Sequence, residues 1–319
     1  MENEATLNLA NLAKYFSDED EAREFLEWRR WPNGTICPHC KAEGAYKLTA
    51  KEGSKTPVRK GVWKCKACRK QFTVRVGSIF EDSHIPLSKW LLAIHLMCSS
   101  KKGMSAHQLH RMMGITYKSA WFLAHRIRYA MSQEPMASKL SGIVEADETY
   151  IGGKAKNMHA SVRKLKVQGR GVVGKSPVVT LVERDGRVRS THLATVTQHN
   201  LRESMRQCVS TEATICTDES ALYFGVKDEF AGHEAVNHHK GEYVRGGAHV
   251  NTSESFHALL KRGVHGVYHH WSPHHLHRYL SEFDFRFNWR KVADGQRTLE
   301  AIKGFEGKRL MYKDSTKKK

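Results

Sequence analysis

Two C-x-x-C knuckles constrain this chain more than any other feature. Cys37-Pro38-His39-Cys40 and Cys65-Lys66-Ala67-Cys68 are separated by 24 residues. Each knuckle places two thiolates on one turn, and together they make a tetrahedral four-cysteine shell of the kind that holds Zn2+. Gly53, Pro57 and Gly61 suit hairpin turns, while Val62–Lys64 and Gln71–Val74 suit short strands. A module this small cannot bury enough surface to fold alone, so the metal is part of its folding. The spacing predicts a structural zinc ribbon over residues 35–76. His39 is a spare ligand beside a shell that four cysteines already close, and a pair of redox C-x-x-C motifs is the rival reading. Cys98, Cys208 and Cys216 read as ordinary buried thiols.

The start, Met1-Glu2-Asn3-Glu4-Ala5, is acidic and lacks the basic region of a secretion signal. With an odd count of seven cysteines, this argues against a disulfide framework and for the cytosol. No apolar run is long enough to span a bilayer; Trp90–Cys98 is too short and contains His95. A net charge of +19 over 319 residues favours a polyanionic partner, nucleic acid first. The charge is spread. Ser83–Leu140 carries eight Lys/Arg against one acid, and Gly152–Lys175 carries seven and none. Lys291–Lys319 carries nine against four. Separated basic segments fit a long phosphate backbone better than one membrane patch.

Periodicity divides the chain further. Residues 1–34 form a helical segment with Ser17 as N-cap and Asp18, Glu19 and Asp20 in its first turn, ended by Pro32-Asn33-Gly34. Residues 83–140 read as a helical module. Ser105–Met112 is a short helix, Gly114-Ile115-Thr116 a turn, and Tyr117–Met131 a second helix with Thr116 as N-cap. Its apolar stripe, Ala120, Trp121, Ala124, Ile127 and Met131, leaves Lys118, Arg126 and Arg128 on other faces. The spacing fits a helix-turn-helix whose second helix enters a major groove, with those three cations on DNA. A helical hairpin with a solvated basic face is the alternative. From Gly142 the period changes to short β-branched strands alternating with helices, which predicts an α/β domain with a mixed sheet over residues 141–290. Residues 291–319 read as a basic C-terminal tail, with Lys313–Lys319 disordered.

Asp147 ends one apolar strand, Ile143–Ala146, and Asp218 ends another, Ala213–Thr217. Glu254 opens a helical stretch. Neighbouring strands bring such ends together, and the clustered carboxylates repel unless divalent cations compensate them. Glu145 shares the face of Asp147 one pleat deeper, and Glu148 points to the other face. Both read as supporting groups rather than ligands. Glu242 and Glu282 are substitutes for Glu254. Eleven histidines between Gly232 and His277 are irregularly spaced and suit DNA contacts and packing more than a second metal site.

Thirty-five residues separate Asp218 from Glu254, and Lys261 follows seven positions later. With Glu145–Lys154, Asn251–Gly263, Tyr268–His270 and Glu282–Asn288, this pattern resembles the DDE transposases of bacterial insertion sequences, in the branch with an N-terminal zinc ribbon. The resemblance covers about residues 16–290. It implies a multidomain chain, with zinc ribbon and helix-turn-helix followed by a ribonuclease-H-like α/β domain. It implies Asp147, Asp218 and Glu254 as ligands of two Mg2+ or Mn2+ ions, and Lys261 and Arg262 on the transposon end. The implied reaction is 3′-end cleavage at terminal inverted repeats and strand transfer into target DNA, by a homo-oligomer acting at the nucleoid, without a membrane. Lys154–Lys175, basic and glycine-containing, reads as a mobile strand-binding loop, with a solvated linker as the alternative. Two rival readings remain: a DNA-binding regulator with a decayed catalytic domain, and a structure-specific nuclease of the same fold.

Overall fold

The computed structural model describes residues 17–49, 57–132, 138–153, 158–166, 174–237 and 240–316. They form two compact units, one of the described residues from 17 to 100, 104 to 132 and 291 to 316, and the other centred on the described residues from 138 to 290.

The first unit opens with α1 (Glu19–Arg30). Its N-cap is Asp18, one residue later than the sequence suggests; its carboxylate accepts from the amides of Asp20 at 2.7 Å and Glu21 at 2.9 Å. A small antiparallel sheet follows, in the order β1 (Tyr46–Lys47), β2 (Trp63–Lys64), β3 (Gln71–Phe72). Helix α2 (Leu87–Ser99) is apolar on most of its surface and is buried accordingly, from Leu87 and Trp90 to Met97 and Cys98. Ser105 caps α3 (Ala106–Met113), accepting from the Gln108 amide. That helix stops at Gly114, whose φ of 59° is the left-handed cap conformation glycine favours. Thr116 then caps α4 (Tyr117–Met131), accepting from the Ser119 amide.

Within this unit the chain's far end returns to the start. Phe305 packs on Phe80, whose other side meets Trp90, with both ring pairs 5.1 Å apart. The segment read from its charge as a basic tail contains a further helix, Asp294–Lys303, with Leu299, Ala301 and Ile302 buried. Thr298 of that helix bonds to the buried His95 of α2 at 2.9 Å.

The second unit is built on a five-stranded sheet. Its strands are β4 (Ile143–Ile151), β5 (Ser176–Glu183), β6 (Val188–His192), β7 (Thr214–Thr217) and β8 (Gly232–Ala235). The spatial order is β6-β5-β4-β7-β8. The pairs β4–β5 and β5–β6 are antiparallel, and β4–β7 and β7–β8 are parallel. The sheet is therefore mixed, as expected. Between β4 and β5 lies α5 (Ala160–Lys166), and α6 (Gln198–Cys208) joins β6 to β7. Helix α7 (Asn251–Gly263) and helix α8 (Leu276–Asn288) follow the last strand. Numbered in order, the returning helix of the first unit is α9, and α10 (Tyr312–Thr316) ends the described chain.

Strand alternation sorts β4 into two faces. Val144 and Ala146 join Leu201 and Met205 of α6 in one apolar core, while Phe256 and Leu260 of α7 pack with Leu280 and Phe283 of α8 in the other. The strand does not end at Asp147. It continues to Ile151 because β5 pairs with it along eight positions, with Asp147 opposite Thr180.

Candidate functional site

The four cysteines converge as their spacing requires. All four Sγ atoms lie within 4.8 Å of one another. The Cys37–Cys68 and Cys40–Cys65 pairs are 3.7 and 3.6 Å apart. A tetrahedron of Zn–S bonds near 2.3 Å has S···S edges of roughly 3.8 Å, so the cradle fits zinc. Lys41 and Arg69, each following the second cysteine of its knuckle, adopt φ of 62° and 61° and turn the backbone around the site. The Cys68 amide donates to Cys65 Sγ and is the main reason that thiol is lowered to about 7, toward the thiolate a metal takes.

The carboxylates assemble on the second unit. Parallel pairing sets Glu145 opposite Cys216, and continuing that register by two residues brings Asp147 level with Asp218. Asp218 directly follows β7, where its carboxylate accepts from the Ser220 amide at 3.0 Å. Asp147 faces α7, with its Oδ2 3.2 Å from Nδ1 of the buried His257. Glu254 sits on the exposed side of the first turn of the same helix. Among the described residues, only the four cysteines form a group of three or more such ligands within 4.8 Å. Asp147, Asp218 and Glu254 do not converge that tightly.

Glu148 points to the opposite face of β4, as alternation requires, and accepts from the Tyr223 hydroxyl at 2.6 Å. Burial raises its pKa above the usual carboxylate range, and the charges of Asp218 and Asp147 add to the rise. Tyr223, enclosed beside it, is held well above its ordinary value, first by burial and then by Glu148.

Glu145, on the same face as Asp147, is fully buried. Its carboxylate accepts from the Thr252 amide at 2.8 Å, the Thr252 hydroxyl at 2.9 Å and the Ser253 amide at 3.0 Å. Arg184 donates to it at 3.3 Å, and His249 Nδ1 lies 3.2 Å away. The substitute acids are committed elsewhere. Glu282 is enclosed with Tyr268 and Arg286, and Glu242 binds the Asn237 amide.

Beyond Glu148 along β4 opens a cavity of about 400 Å³, where Lys175, Lys261 and His265 line the walls with Tyr150 and Gly152. Lys261 and Arg262 are both exposed at the end of α7. The basic segment 154–175 is described at 158–166, which includes α5, and at 174–175; the rest of it lies outside the described residues.

The three cations assigned to α4 part company. Lys118 is exposed, its Nζ 4.5 Å above the Tyr312 ring. Arg126 is buried, donating to the carbonyls of Leu310 at 3.0 Å, Ile79 at 2.8 Å and Glu81 at 2.7 Å. Arg128 is also buried. The sequence assigns both to DNA; the structure corrects this, because neighbouring chain encloses α4 beyond its apolar stripe. His257, and the contact of Glu145 with α7, were missed. The signals available were the i, i+2 placement of Glu145 and Asp147 and the i, i+3 placement of Glu254 and His257.

Residues 139–288 match the family model of an ISXO2-like transposase domain, and residues 17–71 match a transposase zinc-ribbon domain. Over 287 residues the chain is 31% identical to a protein in transposable element ISH50 of Halobacterium salinarum, spanning 86% of this chain and 92% of that one.

Proposed function

This chain belongs to the family of ISXO2-like transposases with a transposase zinc ribbon, and on that premise we propose that it cuts the 3′ ends of its element and joins them to target DNA. The observation that carries this reading is the β4–β7 register, which sets Asp147 level with Asp218 beside the helix bearing Glu254. The mixed sheet, with three antiparallel strands followed by two parallel ones, supports a ribonuclease-H-like catalytic domain.

Asp147, Asp218 and Glu254 offer hard oxygen donors, and the charges of Asp147 and Asp218 both act on Glu148, which suits Mg2+ or Mn2+. These three residues would hold two such ions, whose Lewis acidity would serve the attacking oxygen and the leaving 3′ oxygen. The remaining work falls to this chain's side chains. Lys261, Arg262, Lys175 and His265 hold the phosphate backbone alongside the acids. Lys118, at the exposed start of α4, and the zinc ribbon dock the terminal inverted repeat in the manner of a helix-turn-helix protein. Pairing of two ends calls for a homo-oligomer. As a soluble DNA-processing protein, it would act in the cytoplasm; no described helix is long and apolar enough to cross a membrane.

The test is cleavage of the element's own terminal repeats in Mg2+ or Mn2+. Asp218→Asn is expected to abolish nicking and keep end binding. Nicking that survives this change removes Asp218 from the site, and end binding without nicking by the wild type overturns the enzyme reading.

A further inference from the structure

Helix α7 starts without a cap of its own. The residue before it, Val250, has no side chain to accept a hydrogen bond, and its backbone lies outside the usual capping conformation at φ −121°, ψ 19°. The first amides of a helix have no partner within the helix, and leaving them buried without one costs about 1–3 kcal/mol each. Here the partner comes from another element. Glu145 of β4 takes the Thr252 and Ser253 amides and the Thr252 hydroxyl on one carboxylate. The negative group also sits at the positive end of the helix dipole.

The carboxylate is further tied to the segment that enters α7. Arg184 donates to Glu145, to the Gly247 carbonyl and to the His249 carbonyl at 3.3 Å. Two same-face residues of β4 therefore meet α7 at two successive places: Glu145 at residues 252 and 253, and Asp147 at His257. Glu254 lies between these two contacts. Its height and rotation relative to Asp147 are fixed by them.

We infer that Glu145 is a positioning residue, whose buried carboxylate caps α7 from the neighbouring strand and so aligns Glu254 with Asp147. The inference rests on the metal-site reading above and adds to it a residue that touches no metal or DNA. A purely structural cap would lower stability and leave metal affinity alone. A positioning residue moves metal affinity together with Glu254.

The experiment measures Mn2+ binding to the purified full-length protein by electron paramagnetic resonance, without DNA, for the wild type, Glu145→Gln and Glu254→Gln. Glu145→Gln is expected to weaken Mn2+ binding about tenfold or more, the range typical of groups that orient a ligand. It is also expected to speed amide exchange at the start of α7 while zinc content stays unchanged. Should Glu145→Gln fail to fold, Thr252→Val removes a single donor and is expected to shift Mn2+ affinity in the same direction by about threefold, a fraction of that loss. Faster exchange with unchanged Mn2+ affinity in both variants, beside a weakened Glu254→Gln, overturns the positioning role alone. A silent Glu254→Gln overturns the metal-site reading and this inference with it.

Discussion

His257 Nδ1 lies 3.2 Å from Asp147 Oδ2, so one oxygen of a candidate metal ligand faces a buried imidazole. Such a contact holds a carboxylate in one orientation. Replacing His257 with Phe keeps the ring volume and removes the polar contact. We expect nicking of terminal repeats to fall about 10–100-fold with end binding retained. Unchanged nicking rates would show that Asp147 needs no support from α7.

The buried Asp284 of α8 accepts from the Ser190 amide at 2.8 Å and hydroxyl at 2.7 Å, joining the helix to β6. Burial pushes its pKa up to about 7. A carboxyl raised above its unfolded value, 3.8, binds an extra proton in the folded state. Its contribution to stability is full below about pH 4 and is lost as pH rises through about 7. Asp284→Asn is expected to flatten that slope, which urea midpoints measured from pH 4 to 8 will show. A slope unchanged by the substitution would assign it to another group.

Arg126 and Lys118, eight residues apart on α4, are expected to respond in opposite ways. Arg126→Met leaves three carbonyls without their donor and should destabilise the protein by about 2–4 kcal/mol. Lys118→Ala should leave stability within about 0.5 kcal/mol and weaken DNA binding. Thermal melts and salt titrations of binding separate the two. A stable Arg126→Met protein with selectively weakened binding would return Arg126 to the DNA surface.

Lys175 and Lys261 approach one cavity from β5's approach and from α7. If each neutralises a phosphate, removing either lowers the slope of log K against log salt by about 0.9 on duplex DNA. Fluorescence anisotropy over a range of salt concentrations reads that slope. No change in slope for either alanine variant would mean that the cavity takes no backbone phosphate.

Cys65→Ser with Cys68→Ser removes half of the sulfur shell. Bound zinc should disappear and the ribbon unfold, with end binding weakened, because metal binding and folding are one equilibrium in a module this small. Metal analysis of the purified variant checks it; zinc at the wild-type level would reject the four-cysteine site.

Patterns of covalent spacing and apolar period were readable in advance. The knuckles declare their metal by spacing, and β4, β5 and β7 declare themselves by runs of Val, Ile, Leu and Thr. Strand β8 is Gly-His-Glu-Ala, with no β-branched residue, and its pairing comes from lying beside β7. Helix α9 was hidden by charge: the basic count of the last residues masked the stripe of Leu299 and Ile302. Arg126 was misjudged because a helical period records which positions are apolar, and a guanidinium satisfied by backbone carbonyls is buried without being apolar. Asp147 and Asp218 stand out as candidates because each lies at or after an apolar strand run, whereas the contact of Glu145 with α7 joins residues 107 positions apart and has no local signature.

The first unit is closed by the last part of the chain. Its hydrogen bonds include Arg30 with Glu306, 276 positions apart, and His95 with Thr298. A nascent polypeptide still on the ribosome after residue 132 has made the ribbon and α2 to α4, yet lacks α9, whose Thr298 bonds to His95, and Phe305 beyond it, which packs on the Phe80 ring. Its N-terminal unit can finish folding only after residues 294–305 have left the ribosome. A product cut short anywhere between residues 133 and 290 would therefore lack a finished first unit, whichever of the three candidate acids it carried.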